Sequence, residues 1–231
     1  MAEAPRKAAR RMSPAEREKR IVEAAIRFFA EVGFGGRTRE LAERIGMTQP
    51  LLFRYFPTKA ALVERVYQEV FLNRWDEGWE VLIRNRDLSL RERLVGFYRS
   101  YTQAIFTYEW IRIYMYAGLR GATLNRRYIR RIEERILQPI CDEIRATAGL
   151  AATTADSAFG RCIALELAWT MHGGIFYHGV RKYIYGTPVA SDLDTVIAQA
   201  VDSMLASAAA FFNDSAPTPQ ARRLAGPLTL H

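Results

Sequence analysis

Apolar residues recur along this chain at intervals of three and four, and hardly anywhere in sustained alternation. That periodicity is helical, and no Asn-Gly hairpin signal interrupts it. Ile21, Ala24, Ala25, Phe28, Phe29 and Val32 trace a first apolar face. The face begins at Ser13-Pro14-Ala15-Glu16, where Ser13 as N-cap, Pro14 in the first turn and Glu16 predict a capping box; Gly33 ends it. Thr38 is expected to cap a short second helix stopped by Gly46. Thr48 is expected to cap a third, which must stop before Pro57, and Thr58 a fourth. In the fourth, Val63, Tyr67, Phe71, Trp75, Trp79 and Ile83 recur every four residues. The spacing predicts one continuous helix from Lys59 to about Arg84, roughly 40 Å long at ~1.5 Å per residue.

Further helices follow. Ser89 and Glu92 form a second capping box. The run from Trp110 to Leu119 is apolar nearly all round and reads as buried. A basic helix is expected from about Leu124 to Ala148, ended by Gly149, then one from about Thr154 to Tyr185, ended by Gly186. Ser191 starts the last, with a broad face from Leu193 through Ile197, Val201 and Met204 to Phe212. The fold class is all-α with about nine helices. Residues 1–12 read as a basic flexible arm, 13–58 as a three-helix domain, 59–213 as a second helical domain, and 214–231, rich in Pro, Ser and Ala, as a disordered tail.

Charge sharpens this division. The net charge is +8, and residues 1–60 hold 13 Lys/Arg against 7 Asp/Glu while the remainder is nearly balanced. A basic N-terminal module points to a polyanionic partner. The only cysteines, Cys141 and Cys162, stand far apart, so neither a disulfide framework nor a zinc site is implied and a reducing cytoplasm fits. The N-terminus lacks the apolar core of a secretory signal, and no apolar run is read as long enough to span a membrane. His172 and His178 are six residues apart, on different helix faces, which argues against a two-histidine metal site. No nucleophile–base pair, metal cluster or Gly-rich phosphate loop suggests catalysis, and no cofactor is expected.

The second and third helices are joined by Ile45-Gly46-Met47-Thr48. Helix, short glycine-containing turn and second short helix is the helix-turn-helix pattern, whose second helix enters the DNA major groove. Gln49 suits adenine and Arg54 suits guanine. Free N–H groups near Thr38, Thr48 and Lys59 suit phosphates, and the Tyr55 hydroxyl can meet another. Phe56 reads as core. The stretch IVEAAIRFFAEVGFGGRTRELAERIGMTQPLLFRYFPTKAALVERVY, residues 21–67, resembles the DNA-binding region of TetR-family transcriptional regulators, with YFPTKAAL its most specific part. The resemblance implies an N-terminal DNA-binding domain with Arg37, Thr38, Thr48, Gln49, Pro50, Leu51, Phe53, Arg54, Tyr55 and Lys59 at the interface. It also implies C-terminal helices that dimerise and hold a small molecule. The chain departs from the family pattern at Pro50, usually a small residue, at Leu51, usually Thr or Ser, and at Phe53, usually Tyr, so the phosphate contact of that hydroxyl is lost.

For the C-terminal part, Cys162, Leu165, Trp169, His172 and Phe176 lie on one helical stripe, which is either core or dimer seam, or in part the wall of a ligand cavity with His172 as its polar group. Seven aromatics crowd Tyr98–Tyr116, more than one packing core uses. The expected cavity is bordered by Phe71, Trp75, Tyr101, Tyr114, Trp169, His172 and Phe176. Gly173-Gly174 inside a helix suggests close approach of another helix, or a kink. The Arg-rich run from Arg126 to Arg135 reads as a solvated face. The expected function is a cytoplasmic, homodimeric regulator, a repressor that a small-molecule effector releases from a double-stranded palindromic operator. The alternatives are an enzyme with an incidental helix-turn-helix and an architectural DNA-binding protein without a ligand.

Overall fold

The computed structural model describes residues 12–119, 123–147, 158–189 and 192–213; most of the expected arm, Gly149, Ser191 and the tail lie outside them. Every regular element among the described residues is a helix. The chain divides into two compact units between Asn73 and Arg74.

The first unit holds α1 (Pro14–Val32), α2 (Thr38–Ile45), α3 (Gln49–Tyr55) and α4 (Lys59–Tyr67), which runs on into a π-helical turn over Gln68–Leu72. The capping box of α1 forms: the Glu16 N–H donates to Ser13 Oγ at 3.1 Å and the Ser13 N–H to Glu16 Oε2 at 2.7 Å. Ile21, Val22, Ala25, Phe28 and Phe29 of α1 are buried, together with Leu41 and Ala42 of α2, Leu52 of α3, and Leu62 and Val66 of α4. Phe56 is buried as expected. Because α4 packs on α1, the division falls after α4 instead of at residue 58. Gly36 sits so close to Phe28 that a Cβ there would lie 2.4 Å from the ring. Only glycine lets the α1–α2 loop fold back over that ring.

The second unit holds α5 (Gly78–Arg84), α6 (Leu90–Ile105), α7 (Tyr108–Leu119), α8 (Thr123–Ile132), a π-helical turn over Glu133–Leu137, α9 (Gln138–Thr147), α10 (Ala158–Tyr183) and α11 (Leu193–Asn213). The continuous helix expected over 59–84 is thus broken. After the π turn, Asp76 Oδ1 accepts from the Gly78 N–H at 2.8 Å, a side-chain turn that offers the backbone an alternative to helix. The run from Trp110 to Leu119 is buried on one side only: Trp110, Ile111, Ile113 and Ala117 are inside, while Leu119 is exposed. Phe97, Tyr98 and Tyr101 of α6 form an interlocking aromatic core with Trp79 of α5. Beside it, Glu143 of α9 accepts from Arg93 Nη1 at 2.7 Å and from Arg86 Nη2 at 2.9 Å. Arg93 also donates to the Ile83 carbonyl at 2.7 Å.

The basic run from Arg126 to Arg135 is not one solvated face. Arg126 and Arg130 are exposed. By contrast, Arg131 lies over the Trp75 ring at 4.4 Å, and Arg135 pairs with Glu80 at 2.6 Å. Leu193–Phe212 in α11, with mean hydropathy 1.4, is long and apolar enough by composition to cross a membrane, contrary to the reading of the sequence. Only 28% of that stretch is buried within the chain, although one face of α11 packs on α6 and α10.

Candidate DNA-binding surface and ligand cavity

In the first unit, α2 and α3 are set by the turn at Gly46, whose left-handed backbone (φ 73°) closes α2 by donating to the Ala42 carbonyl. Thr48 caps α3 by accepting from the Leu51 N–H at 3.4 Å, and Thr58 caps α4 by accepting from the Ala61 N–H at 3.0 Å. Thr38 is not a cap. Arg37 occupies the N-cap position of α2 without a side-chain bond, and Thr38 Oγ1 instead accepts from Gln49 Nε2 at 2.9 Å. That bond makes Gln49 a brace between α2 and α3. Leu52 and Phe56 anchor α3 inward; Pro50, Phe53 and Arg54 stand exposed, with Leu51 and Tyr55 half-buried beside them. Lys59 Nζ donates to the Gly36 carbonyl at 2.7 Å, tying α4 to the α1–α2 loop.

The arginines of this unit fall into two groups. Arg39 pairs with Glu43, Arg44 with Glu31 and Glu40, and Arg65 with Glu18 and Glu69. Hydrogen bonding to Glu31, and then its charge and that of Glu40, hold Arg44 more firmly protonated than an ordinary arginine. Arg37 and Arg54, like Arg17, Arg20 and Arg27 of α1, have no ion pair or side-chain hydrogen bond among the described residues, and of these Arg37 and Arg54 flank the α2–α3 motif as unneutralised guanidiniums.

In the second unit a cavity of about 130 Å³ is lined by α6, α7, α8 and α10. Tyr101, Tyr114, Trp169, His172 and Phe176, five of the seven residues expected there, line it together with Trp110, Tyr128, Ile129, Ile132 and Gly173. Trp75 does not line it; its ring meets Tyr128 edge-on at 6.5 Å from behind. Phe71 belongs to the first unit, buried against Tyr67 at 5.2 Å between ring centres. Both were placed at the cavity by the assumption of an unbroken helix. His172 is buried, and loss of hydration pushes its pKa down to about 4, so it is neutral at pH 7. The Tyr98 hydroxyl lies 3.3 Å from its Nδ1. Tyr101 and Tyr128 share a hydrogen bond at 3.0 Å, and burial raises the Tyr101 phenol well above its usual range. A Cβ on Gly173 or Gly174 would meet nothing within 4 Å, so neither glycine serves close helix packing within the chain. Gly173 faces the cavity; Gly174 faces a groove between α10 and α11.

Trp110, Tyr128 and Thr107 carry weight that the periodicity did not assign. Thr107 was legible as a cap, since a Thr three residues before the buried Trp110 is cap spacing, and its Oγ1 accepts from the Trp110 N–H at 3.2 Å.

Comparison with known proteins agrees with the α2–α3 geometry. Residues 21–66 match the sequence model for bacterial regulatory proteins of the tetR family. The chain is 30% identical over 85 residues to tetracycline repressor protein class D of Escherichia coli, covering 33% of this chain and 39% of that one. It is 33% identical over 90 residues to the class A protein from transposon 1721 of Escherichia coli, covering 38% and 40%. The chain therefore spans about two fifths of the length of these curated relatives. A TetR family transcriptional regulator from Pseudomonas syringae pv. tomato str. DC3000 superimposes with a TM-score of 0.56 at 16% identity, over 84% of this chain and 97% of that one. The motif of α2 and α3 is a helix-turn-helix, and residues 21–66 carry the segment that the tetR family of bacterial regulatory proteins shares. The fold as a whole is similar to that of the Pseudomonas regulator.

Proposed function

We propose that this protein is a ligand-responsive, homodimeric DNA-binding regulator of the cytoplasm, a repressor released from a near-palindromic operator by a small molecule. The observation that carries the reading is the pair of unneutralised guanidiniums, Arg37 and Arg54, beside an exposed α3 face in a chain that also encloses a cavity. Arg54 reads guanine, Phe53 and Leu51 meet thymine methyl groups, and Arg37 holds a phosphate. Gln49 fixes the angle of α3 through Thr38 and contacts adenine with its remaining amide oxygen or on release of that bond. Lys59, Thr38, Thr48, Pro50 and Tyr55 complete the surface.

A two-fold dimer places two copies of α3 in successive major grooves ~34–36 Å apart. The groove between α10 and α11, bordered by the exposed small residues Gly174, Ser203 and Ser207, supports dimerisation through these two helices. A cavity occupant acts by binding one arrangement of the two α3 helices better than the other. The likeness to the tetracycline repressors covers a third of this chain, so their effector is not carried over. The test is selection of genomic fragments on purified protein, footprinting of the recovered site, and titration of the complex with a compound library. Protection of a two-fold symmetric site, relieved by a compound that Trp169→Ala abolishes, is the expected result. Binding without sequence preference, untouched by every compound, favours an architectural protein.

A further inference from the structure

We infer that the cavity takes an uncharged aromatic molecule of a single ring, carrying a single oxygen acceptor that meets His172 Nε2. The inference rests on the ligand-responsive reading and names the chemical class of that ligand.

Size comes first. An apolar cavity of about 150 Å³ takes up benzene; this one, at about 130 Å³, holds a ligand of similar bulk. Shape is next. Tyr101, Trp110, Tyr114, Tyr128, Trp169 and Phe176 supply six aromatic side chains. Trp110 meets Tyr128 edge-to-face at 5.3 Å, and Tyr114 meets Phe176 likewise at 5.2 Å. A further flat ring continues that edge-to-face packing, whereas a branched aliphatic of the same volume does not.

Charge excludes the ionic alternatives. None of the lining residues is an acid or a strong base: His172 is neutral, and burial keeps the Tyr101 and Tyr114 phenols protonated. Aromatic walls alone would also suit a quaternary ammonium ion. Behind Tyr128, however, Trp75 already carries Arg131 at 4.4 Å and Arg135 at 5.7 Å, and no carboxylate lines the cavity to offset them. An anion would lose its hydration with no cation in the lining to replace it.

Polarity fixes the functional group. The buried Tyr98 hydroxyl shares a hydrogen bond of 3.3 Å with His172 Nδ1; with the phenol O–H donating, the ring proton sits on Nε2. Nε2 makes no hydrogen bond among the described residues, so it is a donor awaiting an oxygen. Its neutrality persists down to about pH 5, well below the working range.

The mouth is lined by Gly173 and Ile129, the two exposed lining residues. Since a side chain on Gly173 meets nothing within 4 Å, Gly173→Leu can close the mouth without strain in the fold.

The experiment titrates the full-length protein at pH 7.5 with phenol, toluene, benzoate and tetramethylammonium, following the fluorescence of Trp110 and Trp169 and ligand NMR line widths. Phenol is expected to bind saturably, one per chain. Toluene should bind about two- to tenfold more weakly for want of one hydrogen bond. Benzoate and tetramethylammonium should not saturate at concentrations that fill the site with phenol. Gly173→Leu should lose phenol binding at least tenfold with unchanged helicity and melting temperature. His172→Leu should abolish the preference for phenol over toluene. Tetramethylammonium or benzoate binding as tightly as phenol overturns the inference, as does phenol binding that Gly173→Leu leaves intact. If no probe binds but a larger compound releases the operator, the chemical class falls and the ligand-responsive reading stands. If phenol binds as described and no filled cavity alters operator affinity, the class stands and the regulatory reading falls.

Discussion

Arg74 reaches Thr107: its Nη1 donates to Thr107 Oγ1 at 3.3 Å and to the nearby Ala104 carbonyl at 3.0 Å. The same hydroxyl accepts from the Trp110 N–H, and Trp110 lines the cavity. Arg74 is the first residue of the second unit, bonded directly to the last of the first. One threonine oxygen thus joins the cavity wall to the point where the chain enters from the helix-turn-helix unit. Thr107→Val keeps the shape and removes both bonds; Thr107→Ser keeps them. The valine variant should bind the operator within a few fold of wild type but need at least tenfold more ligand for release, while the serine variant behaves as wild type. Operator affinity measured with and without ligand decides this, and an unaltered response in Thr107→Val would show that the signal travels elsewhere.

Stability should fall in mild acid because of His172. Its folded pKa, about 4, lies below the unfolded value of 6.5. The unfolded chain therefore takes up its proton first as pH drops, and each step below about 6.5 favours unfolding until about pH 4. Loss of hydration, followed by Arg181 and Lys182, lowers His178 in the same direction. At pH 5 the contribution of His172 is about 2 kcal/mol. Urea melts at pH 7.5 and pH 5 should differ by about that much, and His172→Phe should remove most of the difference. An equally steep loss in that variant would assign the acid sensitivity to other groups.

The buried pair of Glu143 and Arg93 makes a prediction with two unequal halves. Arg93 is 4% exposed and, among the described residues, bonds to Glu143 and the Ile83 carbonyl, whereas the Arg86 side chain is 71% exposed. Hydrogen bonding to Arg86, then to Arg93, holds the Glu143 carboxyl below its usual range. Glu143→Ala strands a buried guanidinium and should cost about 3–5 kcal/mol. Arg86→Ala removes a partner that water replaces and should cost far less. Chemical denaturation of both variants separates the two cases; equal losses would mean that the burial of Arg93 does not set the energy.

Several of these features could be read from the residues. Ser13 with Glu16 and Ser89 with Glu92 announce their helices because caps act locally, and the structure forms both boxes. The aromatic stripe of α10 likewise reaches one cavity, because a continuous helix preserves phase. The break after α4 was missed, yet a signal was present. A strict four-residue repeat gains about 40° per step on a helix of ~3.6 residues per turn. Five steps from Val63 to Ile83 carry the stripe about 200° around the axis, to the opposite face. Such a stripe stays on one side only if the helix widens or breaks, and the π turn at Gln68–Leu72 and the Asp76 turn do both. The Gln49–Thr38 bond and the shared hydroxyl of Thr107 join residues distant in sequence, and no local pattern encodes them.

That bond separates two roles on α3. Arg54→Ala should weaken operator binding by about 1–3 kcal/mol and relax preference at one base pair. Gln49→Ala should weaken it by a similar amount if Gln49 reads a base. If bracing is its main role, Thr38→Val should reproduce the loss, and the double variant should be no worse than either single. Operator affinities for the four proteins across single-base-pair changes distinguish these outcomes. Wild-type affinity in Arg54→Ala would remove α3 from the major groove.

The dimer prediction turns on which small residues face outward. Thr170, Gly174, Ser203 and Ser207 are exposed and border an apolar groove between α10 and α11, whereas Ala208 is 4% exposed and packs inside the chain. A substitution at Ala208 therefore tests folding; one at Ser203 or Ser207 tests association. Two-fold symmetry brings each substitution into the interface twice. Ser207→Arg should bury unpaired positive charge from both protomers, at a cost of several kcal/mol, enough to raise the dimer dissociation constant by about a thousandfold. Sedimentation velocity at micromolar concentration should then show monomer with unchanged helicity. Val81→Arg, on an exposed site of α5 outside that groove, should remain dimeric. Operator binding should fall with dimerisation in Ser207→Arg, because a single α3 helix gains nothing from the second half-site. A dimeric Ser207→Arg protein would move the interface off the α10–α11 groove.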